Sequence, residues 1–178
     1  MSDDGLVLFD NEQKAAEGKE PKERKVESAP EAKRYMVFRL GEERFAIDIT
    51  STREVIEVPE FRAVPNTLDY FSGYFNLRGE VIGLIDLRKK FAYKTQSNPP
   101  KIAIVFAGSR GVLAAVVDNI ERIVIYSADQ IEKNPAIKSR INMEYLEGIS
   151  KNADYDAIFI NLHKIVTEDD WIKLKAVS

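Results

Sequence analysis

Hydrophobic and polar residues follow one another in short runs along most of this chain, and turn residues separate the runs. From Tyr35 onward the runs are rich in valine, isoleucine and aromatic side chains, a pattern typical of β-strands. Helical spacing of apolar residues occurs only in short pieces, the last of them over 168–175. The pattern predicts strands over 35–40, 44–49, 54–58, 74–77, 81–87, 102–107, 112–117, 120–126 and 157–160.

An internal repeat divides this β region into two similar halves. LDYFSG at 68–73 resembles MEYLEG at 143–148, and LIDLRK at 84–89 resembles FINLHK at 159–164, with an offset of 75 residues in both cases. Each copy holds about five short strands, close to the usual size of a sheet. The sequence therefore predicts an all-β protein of two tandem five-stranded barrels with short helices. The first barrel is expected over about 35–92, the second over about 101–166, and a terminal helix over about 168–175.

The first 34 residues differ from the rest of the chain. Residues 11–34 mix lysine and glutamate densely and include Gly18, Pro21 and Pro30, so this stretch buries too little surface to offset its ordering entropy. We therefore expect 1–34 to be a disordered charged tail. Within it, Gly-Leu-Val-Leu-Phe at 5–9 is an isolated apolar patch. A loose terminus is the favoured interpretation of this patch, and a short docking motif is the alternative.

Composition excludes several classes of protein. The chain has 178 residues and no cysteine, which excludes a disulfide framework, a thiolate zinc site and a cysteine nucleophile. Its net charge of −3 argues against broad binding to a phosphate backbone. The sequence shows no apolar run near the 18 or so residues that span a bilayer, and no secretory signal at its start. We therefore expect a cytoplasmic protein that does not insert into a membrane.

Candidate catalytic chemistry is sparse. The single histidine, His163, lies where the first copy has Arg88, and a position that accepts either side chain is typical of a solvated helix face. No nucleotide-binding, hydrolase or metalloprotease motif is present. The acidic run at 168–170 is better placed to favour the start of the last helix than to bind a metal. We therefore predict no catalytic residue, no metal site and no cofactor.

Binding residues are better sought where the two copies differ. The stretch NLRGE at 76–80 has no counterpart in the second copy, so Arg78 lies at a turn in one copy only. Its guanidinium suits a partner's carboxylates or carbonyl groups, or it clamps its own loop through Glu80 or nearby carbonyl groups. A surface that includes Ile49, Glu54 and Val55 would resemble a protein interface, apolar at its centre and polar at its rim.

A family resemblance appears at these residues. The segments FRLGEERFAI at 38–47, REVI at 53–56, VPN at 64–66, GYFNLRGEVI at 73–82 and IDLR at 85–88 resemble the CheW family of bacterial chemotaxis coupling proteins. The resemblance extends from about 35 to 171. It implies two intertwined SH3-like β-barrels without catalytic activity. It also implies a cytoplasmic adaptor that links the tip of a transmembrane chemoreceptor to a histidine autokinase in membrane-associated signalling arrays.

The resemblance also implies two sets of binding residues. The kinase's regulatory domain would bind the first barrel at Met36, Ile49, Thr52, Glu54 and Val55. The receptor's helical hairpin would lie in the crease between the barrels, at Gly73, Asn76, Arg78 and Ile120. The chain departs from the family pattern at Thr52, where an apolar residue is usual, and at Gly83, where proline is common.

Two other functions remain alternatives at this point. A single-stranded nucleic-acid binder would need a basic groove with interleaved aromatic side chains, which the charge balance disfavours. An enzyme with carboxylates in the crease would need paired acids with perturbed pKa values.

Overall fold

The computed structural model describes residues 31–94, 101–133, 135, 141–151 and 156–176. The two α-helices of these ranges are α1 (Leu87–Lys90) and α2 (Glu168–Ala176). Their strands are β1 (Ala32–Leu40), β2 (Glu43–Asp48), β3 (Thr52–Glu57), β4 (Arg62–Ala63), β5 (Phe71–Leu77), β6 (Glu80–Asp86), β7 (Ile102–Ala107), β8 (Val112–Val117), β9 (Asn119–Ser127), β10 (Ile131–Glu132), β11 (Leu146–Ser150) and β12 (Ile158–Ile160).

These strands form two sheets of matching construction. The first sheet has the order β10-β11-β12-β2-β1-β9, and the second has the order β4-β5-β6-β8-β7-β3. Each contains one parallel pair, β12 with β2 and β6 with β8, at the same place in the order. The prediction of an all-β fold built from two similar halves is confirmed. Each sheet has six strands because a two-residue strand, β4 or β10, adds to the five predicted.

The two repeats exchange their first hairpins. The hairpin β1–β2 of the first repeat joins β9–β12 of the second repeat, and the hairpin β7–β8 of the second repeat joins β3–β6 of the first. A single 3₁₀ turn, Ile49–Ser51, carries the chain from one sheet to the other. The boundaries 35–92 and 101–166 therefore separate repeats of sequence, whereas each sheet takes strands from both. This is the intertwined arrangement that the resemblance implies.

The buried side chains of the described residues form three clusters. One small cluster, which includes Phe75 and Ile82, belongs to the second sheet. Another belongs to the first sheet, where the ring of Tyr35 lies edge-on to that of Phe159 at 4.8 Å between centroids. The largest, here called the central cluster, takes residues from both sheets, among them Phe38, Phe45, Phe71, Ile104 and Phe106. Since this cluster lies between the sheets, the two barrels share one folding unit.

The repeated glycines serve the same purpose in both sheets. Gly73 has φ +147° and Gly148 has φ +156°, backbone conformations that favour glycine. A Cβ atom at Gly73 would overlap the backbone of Arg62 in β4, and one at Gly148 would overlap the backbone of Glu132 in β10. Each glycine therefore lets a two-residue strand approach its neighbour closely. Both glycines lie within strands, β5 and β11, so their role is close packing between strands and not turn geometry.

The prediction of a solvated helix face is correct for His163 and wrong for Arg88. His163 is exposed, but Arg88 is only 3% exposed and pairs with Asp118, which also accepts a hydrogen bond from the Gly41 backbone nitrogen at 2.7 Å. The pair joins α1 to the turn between β8 and β9. Burial of an arginine requires such a partner, and the sequence alone did not identify it.

Helix α2 is held to α1 by a second ion pair. Lys90 Nζ lies 3.0 Å from Asp170 Oδ2 and 4.1 Å from the centre of the Tyr70 ring. Burial tends to raise the pKa of the Asp170 carboxyl, but the Lys90 ammonium, the Tyr70 hydroxyl and the Thr167 backbone nitrogen outweigh burial and lower it. Burial of the Tyr70 hydroxyl, together with the nearby Asp170 charge, raises the pKa of that hydroxyl.

The predicted disordered tail, 1–34, extends too far into the chain, because its last three residues belong to a strand. Residues 32–34 were assigned to the tail, yet they form the start of β1 and pair with Ser127, Tyr126 and Ile125 of β9. Strand β9 supplies backbone partners to this polar segment, so its low hydrophobicity does not prevent strand formation. Residues 1–30 of the predicted tail, including the apolar patch at 5–9, lie outside the described residues.

We predict that Gly73→Ala destabilises the fold by roughly 1–3 kcal/mol, because the added Cβ meets the Arg62 backbone in a strained conformation. Gly148→Ala should have a similar effect. Gly111→Ala is the matched control, since its Cβ would only touch the Trp171 ring at an ordinary distance of 3.8 Å. Urea unfolding measures the difference, and equal midpoints for Gly73→Ala and Gly111→Ala would contradict the assignment.

We also predict a stability defect of Asp170→Asn that depends on pH. The folded-state pKa of Asp170 lies below its ordinary value of 3.8, so the carboxylate stabilises the fold above that pH and the contribution is lost as the pH falls below it. Asp170→Asn should therefore be less stable than wild type at pH 7 and approach it below about pH 4. Asp169→Asn, an exposed neighbour, is the control. A defect of constant size in urea titrations from pH 7 to pH 3 would refute this role.

Candidate protein-binding site

Strand β3 supplies the first half of the candidate site. It stands at the end of the second sheet and, among the residues that the structure describes, pairs only with β7. Its side chains alternate between half-buried and exposed: Glu54 is half-buried, while Arg53 and Val55 are exposed. Such an edge offers unpaired backbone groups beside an apolar and a charged side chain, features suited to binding another protein.

The turn between β5 and β6 supplies the second half. Leu77 pairs with Glu80, so Arg78 and Gly79 form a two-residue hairpin turn in which both residues have positive φ, 52° and 90°. Asn76 Oδ1 accepts a hydrogen bond of 2.9 Å from the Gly79 backbone nitrogen. This geometry holds Arg78 at the tip of the hairpin, with its side chain 78% exposed.

Two ion pairs connect the halves. Arg78 Nη2 lies 3.0 Å from Glu54 Oε2, and Arg53 Nη1 lies 3.2 Å from Glu80 Oε2. Both pairs run between β3 and the β5–β6 turn, which are not neighbours in the sheet order. They show that these two elements lie close together in space. Arg78 therefore contacts Glu54, and not Glu80 of its own loop as the clamp interpretation would require.

The other residues of the expected kinase set lie around this edge at different depths. Met36 is buried in β1, 7% exposed, and Ile49 packs against the central cluster. The Thr52 hydroxyl is buried, and no hydrogen-bond partner for it occurs in the described part of the chain. Val55 is the exposed residue of this set, Ile49, Thr52 and Glu54 are half-buried, and Met36 is the buried one.

The expected receptor residues fall on two elements. Gly73, Asn76 and Arg78 belong to the β5–β6 hairpin of the second sheet. Ile120 lies on β9 of the first sheet, where it is half-buried against the central cluster. A contact that uses all four must therefore extend over both sheets.

Sequence reasoning missed several exposed apolar side chains. Val81 is exposed directly after the Arg78 turn, and Ile123 and Ile125 are exposed on β9. In the sequence, β9 is a nearly continuous apolar run, Ile-Val-Ile-Tyr, which predicts a strand but does not show which face meets solvent. Only the sheet order, with β9 at one end, shows that these isoleucines are on the surface.

The described ranges hold no cluster of three or more histidine, cysteine, aspartate or glutamate residues that could bind a metal ion. In the same ranges no helix is both long and apolar enough to cross a bilayer. What the geometry offers is two linked surface elements on an intertwined β scaffold, which is the form of a protein-binding adaptor.

Comparison with known proteins identifies the family. The sequence model of the CheW-like domain matches residues 34–170, so the chain belongs to the CheW-like family. It is 28% identical to a chemotaxis protein CheW of Treponema pallidum, with 78% of this chain and 85% of that protein covered. A CheW of Helicobacter pylori is also 28% identical and covers 95% of this chain and 99% of its own length.

A solved structure confirms the fold. The scaffolding protein TtCheW from Thermoanaerobacter tengcongensis superposes with a TM-score of 0.70 at 28% identity, covering 80% of this chain and 96% of that chain. The chain is accordingly a chemotaxis scaffold of the CheW type, and the prediction of a non-enzymatic protein is confirmed by the family it belongs to.

We predict that Arg78→Ala changes the free energy of unfolding by less than about 1 kcal/mol, because the Arg78 side chain is 78% exposed and solvent screens its pair with Glu54. Arg88→Met is the contrasting arginine variant. It leaves the Asp118 charge without its buried partner and should cost roughly 3–5 kcal/mol. Urea unfolding of both variants tests this difference, and a large loss in Arg78→Ala would make that residue part of the folding framework.

Proposed function

We propose that this protein couples a chemoreceptor to a histidine autokinase by binding them on adjacent elements of one sheet. The kinase's regulatory domain binds the β3 edge, and the cytoplasmic tip of the receptor binds the β5–β6 hairpin and the neighbouring crease. The ion pair between Glu54 and Arg78 is the main support, because it joins a residue of the expected kinase set to one of the expected receptor set. The protein would thereby reside in the cytoplasm, at membrane-associated receptor arrays.

The kinase contact rests on the exposed part of β3. Val55 offers apolar surface, and Glu54 offers a carboxylate beside it. Thr52 lies on β3 itself and Ile49 in the turn that precedes it, while Met36 lies on β1 in the central cluster against which Ile49 packs. The buried Thr52 hydroxyl occupies a place that suits the apolar residue usual in the family, since a hydroxyl there lacks a partner among the described residues.

The receptor contact rests on Arg78. Its guanidinium has five N–H donors, and only Nη2 is directed at Glu54, so further donors can meet carboxylates or the carbonyl end of a receptor helix. Asn76 fixes the turn that presents this side chain, and Gly73 fixes the strand behind it. Ile120 extends the contact to the first sheet, where apolar surface continues along β9.

The proposed coupling follows from the shared ion pair. A receptor carboxylate that draws Arg78 away from Glu54 changes the charge environment of the β3 edge, and kinase binding at Glu54 changes that of Arg78. Signal transmission requires that each partner favour one arrangement of this pair over the other. Individual contacts of moderate strength are sufficient, because neighbouring copies in an array raise the effective concentration.

We predict that Arg78→Ala weakens binding of a receptor cytoplasmic fragment about tenfold, and that Glu54→Lys weakens binding of the kinase regulatory domain by a similar factor. Isothermal titration calorimetry with each purified partner measures both affinities. Arg110→Ala and Glu168→Lys are matched controls, because these residues form an exposed ion pair that links the β7–β8 turn to α2.

The double variant Glu54→Arg with Arg78→Glu tests the coupling itself. It retains an ion pair of reversed polarity, so stability should be preserved while both affinities fall. If each partner still binds Arg78→Ala, Glu54→Lys and the double variant with wild-type affinity, the proposed surfaces are wrong. Losses of equal size in the control variants would assign the effect to net charge and not to these sites.

A further inference from the structure

Strand β9 leaves an apolar edge exposed. It is nine residues long and stands at the end of the first sheet, and its pairing within the described ranges is with β1. Two of its side chains point to solvent, Ile123 with 55% and Ile125 with 67% exposed. Long edge strands with exposed apolar side chains tend to pair with further strands, and proteins commonly cover them or place charges on them.

The corresponding strand of the other sheet carries such charges. Val55 pairs with Ile104 of β7, and Ile123 pairs with Met36 of β1, at matching places in the two sheet orders. Two residues further along each strand, β3 has Glu57 where β9 has Ile125. The β9 strand is therefore the more apolar of the two at these positions, since Ile125 stands where β3 carries the charge of Glu57.

The chain itself contains a segment suited to this edge. Leu-Val-Leu-Phe at 6–9 is the apolar patch of the charged N-terminal region, and four such residues are compatible with a short β-strand. The chain enters the first sheet at Ala32, which pairs with Ser127 at the end of β9. The 22 intervening residues, 10–31, can span up to roughly 70 Å, whereas β9 is only about 30 Å long.

Charges near the two segments are complementary. Asp4 and Asp10 flank the apolar patch in the sequence. Arg34, the cross-strand neighbour of Ile125, is exposed. A strand laid along β9 would bring an acidic flank toward this basic side chain while its apolar residues cover the two isoleucines.

We propose that residues 6–9 add to the outer edge of β9 as a strand of the same molecule, covering Ile123 and Ile125. The connection through 10–31 makes this contact intramolecular and gives it a high effective concentration, so a weak strand pairing is enough to populate it. The inference does not rest on the receptor or kinase contacts, and it stands or falls independently of them.

Paramagnetic relaxation in the full-length protein tests the proposal. The chain has no cysteine, so Asn11→Cys provides a single site for a nitroxide label and keeps both acidic flanks. In ¹⁵N-labelled protein the label should broaden the amide signals of 121–127 severalfold more than those of the equivalent strand, Thr52–Glu57. Equal broadening of the two strands would overturn the proposal.

Two further samples separate this contact from its alternatives. In a mixture of nitroxide-labelled protein at natural isotope abundance with unlabelled ¹⁵N protein, the broadening of 121–127 should vanish. If it persists, a second copy occupies the edge and the proposal is wrong. Leu8→Asp with Phe9→Asp should abolish the broadening, whereas Ala15→Asp with Ala16→Asp, the same charge change elsewhere in the segment, should leave it in place. Broadening that survives the first pair of substitutions would also overturn the assignment.

Discussion

Each sheet of this protein is completed by a hairpin that belongs to the other sequence repeat, and the central cluster forms only when both exchanges have taken place. Strand β1 shows why: Val37 faces the small cluster of the first sheet, while its neighbour Phe38 faces the central cluster. A strand buried on both faces cannot be withdrawn without opening two cores. The positions of β3, β9 and the β5–β6 hairpin relative to one another therefore depend on this exchange.

The intertwined core fixes the positions of the exposed binding elements relative to one another. The Glu54–Arg78 pair is weak by itself, since both side chains contact solvent. It is nevertheless directional, because the hairpin turn and the edge strand that carry it are fixed by buried neighbours. A scaffold of this kind holds its partners in a fixed relative orientation. The binding free energy of the assembly comes from the many contacts that this orientation brings into register.

The sequence was sufficient for the fold class, for the two-copy construction and for the hairpin turn at Arg78 and Gly79. Alternating runs and repeated motifs report local structure and repetition, which is why these inferences succeed. The order of strands along the chain does not show which sheet a hairpin joins. The exchange of hairpins between the repeats could therefore be expected only from the family resemblance. Burial of Arg88 was missed for a related reason: its partner Asp118 is 30 residues away and follows a different strand. The exposure of Ile123 and Ile125 was likewise invisible, because an apolar run does not reveal that its strand ends a sheet.

The parallel pairing of β2 with β12 has a consequence for biosynthesis. Phe45 must find Ile158, and every intervening strand is made before the partner of β2 leaves the ribosome. The early hairpin therefore waits, with apolar side chains such as Phe45 and Ile47 unburied, until nearly the whole sheet region has been translated. Proteins with such distant pairings fold slowly and expose aggregation-prone surface meanwhile, so chaperone demand should be set by this topology more than by the stability of the finished fold.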